Sequence, residues 1–296
     1  MRQGKRPIRS ARHSLPFLWA LTRAAFVRAY RDGAFGYAKG AAYSALLAFF
    51  PLLATTAAVL VRARADFISD SLSNFLSDVL PPGTQDLVFH YFATKGNRPS
   101  FVPITGALVS LWAGSGVIVS LMEGFHAIYR VPCGRPFVKE RIIAILLVFS
   151  AAIPALSASI MILAGSHVER WAIHMLGFAP AGDELRGWVS VIGEMVRYLI
   201  AFGAVVLGAC ILYRVAPNRP QKWSRVWPGA VIATLLWLIA TSGFAWYARH
   251  IANYNVFYGS IATVIVLLVW MYLLAIIAFI GCEFNAELEK AEGGTA

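Results

Sequence analysis

Acidic and basic side chains at helical spacing are the first candidates for chemistry in this sequence. Asp66 and Asp70 are four residues apart, and Glu123 and His126 are three apart, so each pair would share a helix face and a ligand. A metal site needs further ligands, and no third residue accompanies either pair. We interpret the first pair as a solvated helix face and the second as polar residues near a helix end, and we expect no metal.

Sequence motifs for catalysis and nucleotide binding are absent. No Walker A loop, dinucleotide-binding glycine motif, Cys-x-x-Cys pair or His-Glu-x-x-His motif occurs, which excludes transport by an intrinsic ATPase. Serines are isolated within apolar runs, where they mostly hydrogen-bond the backbone or a neighbouring helix. We predict that the protein is not an enzyme and uses no cofactor.

Long apolar segments must position these side chains. The 296 residues are 58% hydrophobic and 14% charged, against roughly 25% charged in soluble domains. About 20 helical residues cross a bilayer core of ~30 Å, and charge-free runs of that length predict five spans. A sixth, weaker span contains Glu194 and Arg197, which can pair on one helix face. The spans are 40–61, 99–122, 142–168, 189–213, 226–248 and 251–282.

The fold class is therefore an all-α, polytopic membrane bundle of about six transmembrane helices. Before it lies a basic N-terminal segment in which Leu15, Trp19, Phe26 and Tyr30 recur at the spacing of an interfacial helix. A signal peptide is rejected because Arg23 interrupts the apolar stretch early. The predicted regions are the N-terminal segment 1–39, the transmembrane domain 40–288, an extracytoplasmic insert of short amphipathic helices at 62–98, and a tail at 289–296.

The distribution of Lys and Arg predicts the orientation. Eighteen lie on the side that carries both termini and seven on the other, so the positive-inside rule places both termini in the cytoplasm of a bacterial inner membrane. The net charge of +11 fits that rule and anionic lipid, so we expect membrane lipids, and no nucleic acid, as partners. Cys133, Cys210 and Cys282 are too scattered for a disulfide framework and predict free thiols.

Small and polar residues recur four apart within the spans. Gly116, Ser120 and Gly124 do so in the second span, and Ser150 and Pro154 in the third, which favours close helix packing over a pathway lining. Kinks are expected at the two mid-span prolines, Pro51 and Pro154. Carboxylates are confined to the span ends. Their absence from the midplane disfavours ion-coupled antiport and favours a polar or amphipathic cargo such as lipid.

Several motifs follow one another along the chain in a familiar order. They are 41–51 (Ala-Ala-Tyr-Ser to Phe-Pro), 212–219 (Leu-Tyr-Arg, then Pro-Asn), 227–230 (Trp-Pro-Gly-Ala), 258–260 (Tyr-Gly-Ser) with Trp270, and 281–286 (Gly-Cys-Glu-Phe-Asn-Ala). Together they resemble the YihY/virulence factor BrkB family, once labelled ribonuclease BN; Cys282 departs from the alanine expected there. The resemblance implies a six-helix inner-membrane protein linked to envelope integrity and to export or translocation of lipid-type molecules.

Two functions are carried forward. The first is a transporter or translocase for lipid-type or amphipathic envelope molecules, and the second is a membrane scaffold that binds envelope proteins through the insert. A nuclease is disfavoured because the acidic residues of the insert lie on the outer side. Gly36 and Gly40 lie too near the membrane edge to argue for a homo-oligomer, which stays open. The candidate residues of the pathway or the family motifs are Tyr43, Pro51, Ser120, Glu123, Arg197, Gly259, Ser260, Thr263, Trp270, Glu283 and Asn285.

Overall fold

The computed structural model describes residues 15–62, 101–132, 135–175, 183–250 and 260–292. Within these ranges the chain forms seven α-helices and no strand, which confirms the all-α fold. Most of the predicted insert, together with Gly259 and Cys133, lies outside the described residues. The helices are α1 Leu15–Arg31, α2 Ala34–Arg62, α3 Phe101–Tyr129, α4 Phe137–Met175, α5 Asp183–Val215, α6 Trp223–His250 and α7 Ser260–Ala291.

Most of these helices have the length and composition of membrane spans. The five helices α3 to α7 each contain a stretch long and apolar enough to cross a membrane. The remaining predicted span, 40–61, lies within α2, a helix of 29 residues and therefore about 43 Å long. Large apolar side chains such as Leu108, Ile153, Leu199 and Ile239 point outward, as lipid-facing side chains do.

The helices pack in chain order and close on themselves. Each helix from α2 to α6 contacts the next one along the chain, and α7 packs back against α2. The helix α7 also contacts α3 across this ring, and α1 lies mainly against α7. Consecutive antiparallel helices joined by short connections are the usual arrangement of a membrane bundle. The last helix is the central packing element.

Aromatic side chains fill the ring near one of its ends. The rings of Phe125 and Tyr213 are 5.6 Å apart and those of Phe125 and Phe279 are 5.5 Å apart, both edge-to-face. The Tyr213 hydroxyl donates a hydrogen bond to the Ala278 carbonyl oxygen at 2.8 Å. A Cβ atom at Gly124 would collide with Phe279, so this glycine admits the ring. We call this end, where α3, α5 and α7 terminate, the basic end.

The final helix continues beyond the predicted end of its span. The prediction placed the span at 251–282; residues 251–259 lie outside the described ranges, and α7 continues to Ala291. The helix passes Cys282 without a break, and Glu287 and Glu289 beyond it pair with Arg28, Arg219 and Arg225. Hydropathy ends the span at the first charge, but the hydrogen-bonded helix does not end there.

The predicted N-terminal helix is present as α1 and has two apolar faces. Leu21 and Ala25 pack against Phe284 of α7 and form a small separate core. The predicted stripe that includes Trp19, Phe26 and Tyr30 is exposed. Gly33, with a φ of 74°, makes the turn into α2, a conformation that glycine adopts at little cost.

Candidate functional site

Glycines and hydroxyl side chains form the contact between α2 and α3. Where glycine removes the side chain, two helix backbones approach closely, and the facing hydroxyl keeps the contact polar. A Cβ atom at Gly40 would lie 3.2 Å from Ser120 Oγ, and one at Gly116 would lie 3.1 Å from Ser44 Oγ. The hydroxyl seam, as we name it, consists of three pairs: Gly40 with Ser120, Gly116 with Ser44, and Gly106 with Thr55.

The hydroxyl seam extends along much of the membrane-crossing length. Gly40 and Thr55 are 15 residues apart on α2, which is about 22 Å of helix, compared with a hydrocarbon core of ~30 Å. Thr55 donates its hydroxyl proton to the Pro51 carbonyl oxygen at 2.8 Å. Ser44 and Ser120 make no hydrogen bond through their hydroxyls in the described part of the chain.

Three predicted pathway residues lie on this helix pair. Tyr43 and Pro51 belong to α2 and Ser120 to α3. The Tyr43 side chain is 61% exposed, next to Ser44 in the chain, and Pro51 is half-buried. Ser260 and Thr263 begin α7, and their side chains lie outside the description. Packing of small residues, predicted for this face of α3, is confirmed by the Gly40–Ser120 contact.

The other candidate residues are spread over three helices. Glu123 is exposed on α3, and Arg197 and Trp270 are half-buried on α5 and α7. Glu283 and Asn285 are buried at the basic end. Of the predicted set, Ser120 belongs to the hydroxyl seam, and Tyr43 and Pro51 lie on the same helix pair. Glu283 and Asn285 lie at the basic end, whereas Arg197 and Trp270 belong to neither group.

An arginine that the sequence analysis assigned to a loop lies against the middle of a span. The guanidinium carbon of Arg141, on α4, is 4.0 Å from the centroid of the Trp112 ring. A Cβ atom at Gly116 would lie 3.9 Å from Arg141 Nη1, so this side chain also reaches the hydroxyl seam. In the sequence, Arg141 stands directly before an apolar run. A residue at a loop boundary has the same position, so the sequence did not distinguish a loop residue from one within the span.

At the basic end, two of the family-like motifs are joined by one amide. Asn285 Oδ1 accepts a hydrogen bond from the Gly229 backbone N–H at 2.7 Å, and Asn285 Nδ2 donates to the Val226 carbonyl oxygen at 3.0 Å. A Cβ atom at Gly281 would meet Tyr213 of a third motif. Separate sequence motifs thus meet at one buried point, where α5, α6 and α7 come together.

A buried carboxylate of α7 binds Arg219 of the α5–α6 connection and Arg225 of α6. Arg219 Nη2 lies 2.7 and 2.8 Å from the two oxygens of Glu289, and Arg225 Nη1 lies 2.7 Å from Oε1. The Arg219 guanidinium also lies over the Tyr129 ring, 4.6 Å from its centroid. Charge-assisted pairs with this geometry hold helix ends in register. The sequence analysis missed them because the partners are about 65 residues apart.

A second acid of α7, Glu283, makes no ion pair with a cation of the described residues. Glu283 is fully buried, and neither of its carboxyl oxygens accepts a hydrogen bond. Its main charged neighbour is Asp32, in the turn between α1 and α2, with Lys290 and Glu287 contributing less. Two ionised carboxylates are acceptors only, so a hydrogen bond between them requires a proton on one. This pair was not predicted, because Asp32 lies in a strongly basic segment.

The connection between α3 and α4 closes the carboxyl end of α5. Arg135 donates from Nη2 to the Val215 carbonyl oxygen at 2.9 Å and from Nε to Asn218 Oδ1 at 3.0 Å. Burial lowers the pKa of Arg135, and the nearby Glu140 carboxylate opposes that shift. An arginine nevertheless stays protonated and complements the negative end of a helix dipole. Asn218, with a φ of 51°, turns the chain after α5.

Metal-ligating groups do not cluster in the described ranges. No group of three or more His, Cys, Asp or Glu side chains there could hold a metal ion. Cys210 and Cys282 are buried and free, as predicted for thiols outside any disulfide.

Comparison with known proteins assigns the chain to a family. The family model described as virulence factor BrkB matches residues 25–296. The chain belongs to the virulence factor BrkB family. This membership confirms the resemblance seen in the sequence motifs. BrkB-family membership and the apolar helices make it a multi-pass membrane protein.

Curated relatives of this BrkB-family chain come from several bacteria. A putative ribonuclease-like protein, YfkH, of Bacillus subtilis is 30% identical over 86% of this chain and 90% of its own length. UPF0761 membrane proteins of Tolumonas auensis and Alteromonas mediterranea are 26% and 28% identical, over 91% and 84% of this chain and 89% and 81% of their own lengths. No solved structure matches this chain.

Proposed function

We propose that this protein is a transporter or translocase that moves lipid-type or amphipathic molecules across a bacterial inner membrane, and that it catalyses no covalent reaction. The hydroxyl seam carries the proposal. A polar strip of about 22 Å along two membrane-crossing helices offers hydrogen-bonding groups to a polar headgroup where lipid tails offer none. The acyl chains of such a molecule would remain in the surrounding bilayer.

The surface beside the hydroxyl seam suits a molecule that is half polar and half apolar. Tyr43 is 61% exposed, and Leu47, one turn further along α2, is 49% exposed. A phenol hydroxyl next to aliphatic side chains is the composition typical of membrane interfaces and amphipathic ligands. The hydroxyls of Ser44 and Ser120 would contact the headgroup, and Leu47 would contact its tails.

The orientation belongs to the same proposal. The excess of Lys and Arg on one side supports cytoplasmic termini. The packing of α1 on α7 brings the first and last described helices together, which supports placing both termini on one side.

Reconstitution tests the proposed translocation. Purified protein in liposomes is expected to speed the loss of a fluorescent short-chain phospholipid from the outer leaflet, measured by dithionite quenching. The Tyr43→Ala variant should slow this movement several-fold because it removes the exposed phenol beside the hydroxyl seam. Tyr198→Ala is the matched control, since Tyr198 is 53% exposed on α5, away from the seam.

The outcomes of that experiment separate the explanations. Equal rates in protein-containing and empty liposomes, for both anionic and zwitterionic lipids, would remove the translocase proposal. Equal slowing by Tyr43→Ala and Tyr198→Ala would indicate a general effect of losing a lipid-facing aromatic ring, and the seam would then not be the pathway.

A further inference from the structure

Arg141 is a cation within a membrane-crossing segment. It lies in the apolar stretch 137–157 of α4, and its guanidinium carbon is 4.0 Å from the Trp112 ring centroid. Its Nη1 atom also approaches Gly116, which lies near the middle of the stretch 104–129 of α3, so the charge is held away from either end of that span. A cation in this position is costly unless a partner balances it, and such residues commonly mark ligand pathways.

Arg141 has no partner of opposite charge within the described ranges. Its Nε atom is buried and makes no hydrogen bond, and no ion pair joins the guanidinium to an acid. Glu140, its neighbour in the chain, lies instead near Arg135 and His126. The stacking on Trp112 provides a favourable contact but does not neutralise the charge. The guanidinium charge is therefore left without a counter-ion among the described residues.

The position of Arg141 near the start of its helix also favours the binding of an anion. It lies five residues into α4, beside the amino-terminal end where the helix dipole is positive. Arg214 provides the contrast. It also stacks on a tryptophan, Trp223, at 4.5 Å, and has a buried Nη1 without a hydrogen bond, but it lies in the last turn of α5. The negative end of the dipole compensates Arg214 and does not compensate Arg141.

The Arg141 guanidinium and the Ser44 hydroxyl both lie beside Gly116. Nη1 is 3.9 Å from where a Cβ atom at Gly116 would lie, and that same point is 3.1 Å from Ser44 Oγ. Because both groups reach the same short stretch of α3, they could donate hydrogen bonds to oxygens of one phosphate group. Arginine forks match the oxygens of phosphate, and the bonds are strengthened by charge.

We propose that Arg141 and Ser44, which meet beside Gly116, bind the phosphate group of a membrane lipid. The lipid source is favoured over free phosphate because exposed apolar side chains of the same helices, including Leu47 and Leu108, can contact acyl chains. The phosphate would be the headgroup of the proposed cargo. Movement of the lipid rests on the proposed function, whereas binding of the lipid at Arg141 does not.

Binding of a soluble short-chain lipid tests this site directly. Dioctanoyl phosphatidic acid is titrated into the purified full-length protein in a nonionic detergent, and binding is followed by the fluorescence of Trp112 and the other tryptophans. The Arg141→Gln variant is expected to bind at least tenfold more weakly than the unmodified protein. Arg214→Gln is the matched control, with the same change of charge and the same loss of stacking, and it should bind normally.

Two further ligands and one further variant make the result unambiguous. Dioctanoylglycerol, which lacks the phosphate, should bind equally weakly to the unmodified protein and to Arg141→Gln. Inorganic phosphate should compete poorly, because it lacks the acyl chains. If Arg141→Gln does not give a monodisperse protein, Arg141→Lys keeps the charge, loses the planar fork and should weaken binding several-fold.

Several results would overturn the assignment. Equal affinity of Arg141→Gln and the unmodified protein would mean that the phosphate does not bind at Arg141. Equal losses in Arg141→Gln and Arg214→Gln would indicate nonspecific attraction to net charge. Competition by inorganic phosphate as strong as that by the lipid would make free phosphate the ligand. Binding without movement in liposomes would leave this site intact and remove only the proposed translocation.

Discussion

The side chain of Asn285 and the backbone of Gly229 join the last two helices. Asn285 Oδ1 accepts a hydrogen bond of 2.7 Å from the Gly229 N–H. A buried amide has donors and acceptors that must all find partners, and a second bond, to Val226, uses the amide nitrogen. At this contact α6 and α7 lie so close together that no side chain fits at position 229.

Gly229→Ala is therefore expected to destabilise the bundle. A Cβ atom at this position would collide with the Gly281 carbonyl oxygen and with the Asn285 amide. The backbones of α6 and α7 cannot move aside as a flexible side chain can. The free energy of unfolding should therefore fall by about 1–3 kcal/mol. The measurement is equilibrium unfolding in mixed micelles of SDS and a nonionic detergent.

Gly243→Ala on the same helix is the control for Gly229→Ala. A Cβ atom at Gly243 would meet nothing within 4 Å, and alanine is the better helix former by about 1 kcal/mol. The free energy of unfolding should therefore stay the same or rise. If both alanine variants lowered stability equally, the close approach at Gly229 would not be what holds α6 to α7.

Glu289→Gln is expected to loosen the basic end. The carboxylate is 6% exposed and lies between Arg219 and Arg225, of which the latter is 39% exposed. Removing one partner of a fully buried ion pair costs about 3–5 kcal/mol, and the partial exposure of Arg225 lowers that to about 2–3 kcal/mol. The change is measured as the free energy of unfolding in the same mixed micelles.

Glu287→Gln, two residues earlier on α7, is the control for the loss of stability in Glu289→Gln. Glu287 pairs with Arg28 and Lys290, whose side chains are 38% and 30% exposed. Solvent screening should hold its effect below about 1 kcal/mol. A larger loss at position 287 than at position 289 would contradict the assignment of Glu289 as the main ionic contact of the basic end.

The sequence predicted the membrane helices because length and apolar composition are local properties. It placed the spans inside the helices of the structure, apart from residues 99–100 and 251–259, which lie outside the described ranges, and it identified the small-residue face of α3. It could not identify the partner helix at Gly116, nor extend α7 beyond Cys282, because Glu289 is balanced by Arg219 and Arg225 from distant parts of the chain. Charge pairing between residues so far apart in the sequence does not change the local hydropathy.

The same limit explains the outcome at the candidate site. Asn285 and Glu283 stood out only through the family-like motif, and the structure places both at the basic end. Arg141 was counted as a loop residue because a cation before an apolar run usually faces water. Its contact with Trp112 depends on how α3 and α4 cross, which no spacing within either segment predicts.

Glu283→Gln is expected to stabilise the protein. Glu283 is fully buried, accepts no hydrogen bond and lies near Asp32. Two carboxyl groups at such a place cannot both ionise without repulsion and loss of hydration. A neutral amide of the same shape removes that cost, so the thermal unfolding midpoint in detergent at pH 7 should rise by about 2–4 °C per kcal/mol gained.

Asp32→Asn should produce the same gain, and the double variant should gain little more, because either change removes the shared repulsion. Glu123→Gln, an exposed acid on α3, should leave the midpoint unchanged. The advantage of Glu283→Gln should shrink at pH 5, because protonation of a carboxyl group removes the same charge that the substitution removes. A lower thermal unfolding midpoint in Glu283→Gln would show that a cation balances the carboxylate. The Glu283–Asp32 pair would then be a ligand site and not a repulsive contact.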